Sequence, residues 1–298
     1  MDADPPPSSV VLADGRRLTY DTLGDQCGVP IVAVHGSPDS RVIWRLFADA
    51  AQRGGLRLIA VDRPGFGGSD PLPGRRVLDW AEDVVALTDA IGVHRFGLLA
   101  ISGGGVYACA TAWRWPDRVT VLGLFSVIGP LDVPGATQGM NRFVRTTYGL
   151  ARRAPWLLRP IVRSLATSAN RAPEKATARM LKMRPPEDRD VIQRSDVAAV
   201  LARNLPEQFR DSETILHEFR LATQPWPVPL HEIRTPTFIW QGGRDDVHVP
   251  AMARELARAI PGATLYEEPT FATFTYVDHV DAILDVLRQH PSLGDATR

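Results

Sequence analysis

The chain has few cysteines, almost no lysine, no excess of either charge and no long apolar run. The two cysteines, Cys27 and Cys109, are far apart and lie in different motifs. They exclude a disulfide-stapled scaffold and read as free thiols in a reducing cytoplasm. Lysine occurs twice, at Lys175 and Lys182, which we read as codon composition rather than function. Lys plus Arg number 34 and Asp plus Glu number 34, so no net charge supports a nucleic-acid partner. No apolar run approaches the roughly 20 residues of a membrane span, so no membrane role is expected. The opening MDADPPPSSV is acidic and Pro-rich, without the basic and apolar regions of a signal peptide. What remains is 298 residues, 44% of them hydrophobic, enough for one large domain or a domain with an insertion.

The first part alternates strand and helix patterns. VVLADGRRLTYDTLG reads as a hairpin turning at Asp14-Gly15. PIVAVHG (30–36), LRLIAVD (56–62), RFGLLAIS (95–102) and VTVLGLFSVIG (119–129) are short apolar runs, as buried parallel strands require. Between them, residues 76–92 and 103–115 have helical character; Trp80, Val84, Leu87 and Ile91 share one face and Gly92 is the stop. Residues 130–230 contain no convincing strand, only helical segments broken by prolines. Alternation resumes with TPTFIWQG (235–242), a helix over 251–260, ATLYEE (263–268) and a helix over 280–290. Repeated βαβ units predict an α/β fold with a doubly wound, mostly parallel sheet. Its core is expected over 1–129 and 231–298, with a helical insertion over 130–230.

Four motifs sit at strand ends. LLAIS runs into SGGG, a sharp strand-to-helix turn that points the Ser102 side chain out of the sheet, with the small residues Ala100 and Gly104 two positions either side. The helix N-terminus behind Ser102 favours negative charge there. VAVHGSPDSR (32–41) is a strand ending in His35-Gly36 and a loop; His35 reads as a packing residue under that loop rather than a base. VDRPGFGGSD (61–70) is glycine-rich but lacks the dinucleotide fingerprint, so it reads as structural. WQGGRDDVHVP (240–250) is a strand end with two aspartates before a helix start. No motif calls for a cofactor or a metal.

The ordered set HGSP, DRPGFGGSD, A-I-S-G-G-G, helical insertion and GGRDDVHVP resembles the α/β-hydrolase superfamily in its lidded, single-chain form, over nearly the whole chain. The resemblance implies Ser102 as nucleophile, the N–H groups of Ser37 and Gly103 as oxyanion donors, and the insertion as a lid over the substrate. It implies Asp246 as triad acid, three after Gly243 and four before Pro250; Asp245 fits if the strand is counted from Gly242.

The family follows its last strand with Gly-His. Here EEPTFATFTYVDH puts Ala272-Thr273 on that pair, whether counted back from the closing helix or forward from Pro269. A threonine hydroxyl cannot act as base near neutral pH. Ester hydrolysis is therefore expected to be impaired, or replaced by a non-hydrolytic step such as cyclisation or elimination. On that reading Thr273→His restores some hydrolysis. A working esterase with its base relocated to His248 or His279, and a ligand-binding pseudoenzyme, stand as alternatives. The expected partner is an apolar small molecule, with Phe271, Phe274 and Tyr276 either lining its pocket or packing the core. From Arg142 to Arg184 the insertion holds eleven basic residues and one acid, Glu174. If they face the cavity an anionic substrate is steered in; if they face outward they are solvated helix sides. Nothing in the chain points to an oligomeric state.

Overall fold

Eight strands form a single sheet in the order β1-β2-β4-β3-β5-β6-β7-β8. They are β1 (Ser8–Val11), β2 (Arg17–Gly24), β3 (Val29–Val34), β4 (Leu56–Val61), β5 (Phe96–Ser102), β6 (Val119–Val127), β7 (Thr237–Gly242) and β8 (Thr264–Glu268). β1 and β2 are an antiparallel hairpin, β2 runs antiparallel to β4, and all other neighbours are parallel. The computed structural model describes residues 6–182 and 184–294. The opening MDADP, Met183 and the last four residues lie outside them.

Parallel strands need crossovers, and helices cover both faces of the sheet. The helices outside the insertion are α1 (Ala48–Arg53), α2 (Val77–Ala90), α3 (Gly105–Arg114), α10 (Pro250–Ala259), α11 (Val280–Gln289) and the short α12 (Pro291–Gly294). Side chains alternate along each strand. Val32, Val34 and Leu98 join Trp80, Val84 and Leu87 of α2 in one core. Ile31, Ala33 and Leu99 join Phe47, Ile283 and Leu287 in the other. A 3₁₀ segment, Arg41–Phe47, extends α1 and has no marked signal in the sequence.

Between β6 and β7 the described chain has no strand. It holds α4 (Arg142–Arg153), α5 (Pro155–Arg171), α6 (Pro173–Leu181), α7 (Pro186–Ile192), α8 (Ser195–Gln208) and α9 (Ser212–Ala222). α7 and α8 are separated by a break just before Ser195. Pro160 and Pro206 sit inside α5 and α8 without ending them. The insertion is tied to loops of the core: Asn204 donates to Asp39 at 2.6 Å, and Gly67 N–H donates to the Glu207 carbonyl at 3.1 Å. Nine of its basic residues between Arg142 and Arg179 are exposed, so they are solvated helix sides and offer no support for an anionic substrate. Among the described residues no helix is long and apolar enough to cross a membrane.

Candidate active site

Ser102 ends β5 with φ +50°, a conformation few non-glycine residues adopt. The packing behind it explains the glycines that follow. A Cβ on Gly104 would stand 2.5 Å from the Val34 carbonyl oxygen, and one on Gly103 2.7 Å from the Ser37 Oγ. α3 can therefore start against the end of β3 only without those side chains. The same approach brings the Ser37 backbone N within 3.2 Å of where that Gly103 Cβ would be. Among the described residues neither the Ser37 N–H nor the Gly103 N–H donates to a protein acceptor. Both are thus available beside Ser102.

An imidazole does reach Ser102, and it comes from the loop after β7. The Nε2 of His248 is 2.9 Å from the Ser102 Oγ, and its Nδ1 is 3.0 Å from the Asp245 Oδ2. The carboxylate on Nδ1 places the ring proton there, leaving Nε2 as an acceptor for the serine hydroxyl. The turn itself aims the ring. Asp245 Oδ1 accepts the N–H groups of Val247 and His248, both at 2.9 Å, and Gln241 donates to the His248 carbonyl at 2.5 Å. His248 is buried and Asp245 almost fully so. Burial works to raise the Asp245 carboxyl, but its pairing with His248 and the N–H groups of His248 and Val247 outweigh it and hold the carboxyl below its ordinary range.

This differs from the arrangement preferred on sequence spacing. Asp246 faces away: its Oδ2 accepts from the Asn141 side chain at 3.0 Å, at the start of the insertion. The carboxylate that meets an imidazole is that of Asp245, because the Asx-type turn it caps folds residue 248 back over its other oxygen. Thr273 donates to that same carboxylate, Oγ1 to Asp245 Oδ1 at 2.9 Å. His279 is exposed and stacks on Phe271 with ring centroids 4.3 Å apart. Phe274 and Tyr276 pack in the core, Tyr276 against Phe125 at 4.1 Å.

Thr273→Val keeps the shape and removes one donor to a buried carboxylate. We expect a loss of about 1–3 kcal/mol in urea unfolding and a fall in any Ser102-dependent rate of no more than about tenfold.

Further polar residues surround this group. Asp39 Oδ1 accepts from Ser40 N–H at 2.9 Å, while its Oδ2 and the Ser102 Oγ both border the space a Gly36 Cβ would fill. Burial pushes the Asp39 carboxyl up to about 6, against the hydrogen bonds from Asn204 and the Ser40 and Gly36 N–H groups. Below the Ser37 loop, Glu218 of α9 accepts from Arg63 (2.6 Å), Arg75, Tyr107 (2.6 Å) and Ser37. Burial works to raise the Glu218 carboxyl; the Arg63 and Arg75 charges overcome it and hold it well below its ordinary range. Ser37 and Asp39 lie in the VAVHGSPDSR motif and Arg63 in the glycine-rich one, but nothing in the sequence links either motif to Arg75, Tyr107 or Glu218. One cleft of ≈ 470 Å³ lies on the insertion and another of ≈ 410 Å³ lies between the insertion and the loop 71–75; neither is lined by Ser102 or His248.

These carboxyls set a pH profile for stability. Asp245 and Glu218 titrate lower in the fold than unfolded, where the values are about 3.9 and 4.3. Their contribution is full above pH about 4 and drains away below it. Asp39, Asp62 and Asp188, each raised to about 6 by burial, act the other way: the fold favours their neutral form, so stability falls as pH rises from about 4 to 6. Urea unfolding is therefore expected to show greater stability at pH 5 than at pH 7.

Among the described residues no group of three or more His, Cys, Asp or Glu is placed to hold a metal ion. Cys27 is exposed, Cys109 is buried, and both are free thiols.

A strand-end serine, an imidazole on its hydroxyl, a carboxylate on the imidazole and two unpaired N–H groups define a hydrolase-type site on an α/β sheet. The chain belongs to the alpha/beta hydrolase fold family, whose model matches residues 29–280. It is 31% identical over 137 residues to epoxide hydrolase B of Mycobacterium tuberculosis, a match covering 43% of this chain and 38% of that protein. It is 29% identical over 269 residues to the 2-hydroxy-6-oxononadienedioate/2-hydroxy-6-oxononatrienedioate hydrolase of Burkholderia vietnamiensis, covering 86% of this chain and 85% of that one. The first of these matches spans well under half of its relative. Among solved structures, the enol-lactonase of Burkholderia xenovorans superposes with a TM-score of 0.69 at 20% identity, over 94% of this chain and 98% of that one. A thermophilic esterase from Thermogutta terrifontis superposes with a TM-score of 0.70 at 20% identity, over 99% and 100%.

Proposed function

We propose that this chain is a serine hydrolase whose base has moved from the loop after β8 to the loop after β7, so that the triad is Ser102, His248 and Asp245. The observation that carries the reading is the unbroken chain Ser102 Oγ, His248 Nε2, His248 Nδ1, Asp245 Oδ2, with contacts of 2.9 and 3.0 Å. His248 takes the hydroxyl proton as Ser102 attacks a carbonyl carbon, and Asp245 stabilises the imidazolium. The oxygen that becomes negative is received by the Ser37 and Gly103 N–H groups. The imidazolium then protonates the leaving alkoxide, and water, activated by the same His248, releases the acid and restores Ser102.

The substrate class we propose is a small, mostly apolar carboxylic ester or lactone. The names of the relatives support hydrolysis broadly, not one substrate. Two free thiols suit a reducing compartment, and we place the protein in the cytoplasm as part of this proposal. Impaired hydrolysis and a purely ligand-binding role both rested on Thr273; the reach of His248 favours turnover instead. Thr273→His should then bring no gain, because it removes a donor to Asp245. Steady-state assays on short-chain aryl esters test the reading. We expect kcat within the ordinary enzyme range, about 1–10³ s⁻¹; absence of turnover across ester chain lengths would count against it.

A further inference from the structure

The Ser37 N–H belongs to the Gly36–Ser37 peptide, and the other end of that peptide is held by two donors. Arg63 Nη2 donates to the Gly36 carbonyl at 2.6 Å. His35 Nδ1 lies 2.8 Å from the same oxygen, and its Nε2 accepts the Arg63 N–H at 3.0 Å, which puts the ring proton on Nδ1. In a trans peptide the C=O and N–H point in opposite directions. Two donors behind the carbonyl therefore aim the N–H the other way, where Ser102 and Gly103 lie. The Gly103 N–H has no such support: the carbonyl of its peptide, Ser102 O, accepts the neutral Ile128 N–H at 3.0 Å.

Arg63 is fully buried, between Tyr107 (4.4 Å from the ring centroid) and Phe66 (5.1 Å). A guanidinium on a carbonyl in so dry a place withdraws electron density through the amide and strengthens its N–H as a donor. Glu218 holds Arg63 there by Nη1 at 2.6 Å and also takes the Ser37 hydroxyl, on which Arg63 Nη2 donates at 2.6 Å. Arg75 binds the second Glu218 oxygen, so two guanidiniums face one carboxylate and the cluster keeps a net positive charge below the oxyanion position.

We propose that Arg63 and Glu218 are positioning residues for the oxyanion hole: Arg63 polarises the Gly36–Ser37 peptide, and Glu218 makes that contact depend on the insertion being seated on the core. Neither touches the reacting atoms. The inference rests on the serine-hydrolase reading.

The experiment compares wild type, Arg63→Lys and Glu218→Gln with an aryl ester and an arylboronic acid, whose adduct on Ser102 places an oxygen in the hole. A lost oxyanion donor costs about 10²–10³-fold; a weakened one should lower kcat by about 10–100-fold. KM should stay within about threefold, and boronate affinity should fall in proportion to kcat. Both variants are checked for cooperative melting, and either one that folds carries the comparison. Without any variant, the Ser37 amide proton of the wild-type boronate adduct should resonate downfield of that of Gly103. An unchanged kcat, a rise in KM alone, a fall in kcat with boronate affinity intact, or the reverse order of amide protons overturns the proposal. A wild type that neither turns over the ester nor binds the boronate sinks the hydrolase reading instead.

Discussion

His248→Ala is expected to lower kcat on an activated aryl ester by about 10⁴-fold or more. Removing one triad member costs nearly as much as removing all, because a serine hydroxyl without its base is a poor nucleophile. The roughly 10³–10⁴-fold rate over water that remains comes from the oxyanion hole and binding. The loss should appear in kcat rather than KM, since Nε2 meets the Ser102 hydroxyl at 2.9 Å and, among the described residues, no other partner. His279→Ala is the control. That ring stacks on Phe271 at the surface, and its removal should leave kcat within about twofold. A large loss in His279→Ala with none in His248→Ala would reverse the assignment.

The second large effect separates two adjacent aspartates. Asp245→Asn should cost about 10⁴-fold in kcat, by the wrong-tautomer argument. The two backbone N–H groups and Thr273 on Oδ1 fix the amide oxygen on that side. The amide nitrogen then faces His248 Nδ1, which must accept, and the ring proton moves to Nε2. A protonated Nε2 cannot receive the serine proton. Asp246→Asn should cost no more than a few-fold, because the Asp246 carboxylate meets Asn141, not an imidazole. Equal, large losses in both variants, or a loss confined to Asp246→Asn, would contradict the geometry. Steady-state kinetics on one ester at one pH suffice to tell these apart.

The difference between those two aspartates marks where sequence reasoning stopped. The sheet was legible because parallel strands buried on both faces read as continuous apolar runs, as PIVAV and GLLAI do. The serine turn was legible because close approach of α3 to β3 demands glycine. The loop after β7 was harder. Asp245 and His248 stand only as alternatives in the sequence, each considered alone. Three residues apart, they form one unit once Asp245 caps its own turn. Spacing to Pro250 favours Asp246 and says nothing of where each carboxylate points. Thr273 invited the opposite conclusion, since a missing histidine reads as a missing base. Glu218 was out of reach for a different reason. It lies more than a hundred residues from Ser37, Arg63, Arg75 and Tyr107, on an insertion helix whose sequence shows only amphipathic periodicity.

The most direct measurement is the rate at which a fluorophosphonate labels the chain, with the modified residue located by peptide mass spectrometry. A phosphonate reports the nucleophile and its base without requiring the natural substrate. The account expects rapid, single-site labelling at Ser102 in wild type and at least a thousandfold slower labelling in His248→Ala, in line with the loss of a triad base. No labelling of wild type, or equal rates in the two proteins, would contradict a base relocated to His248.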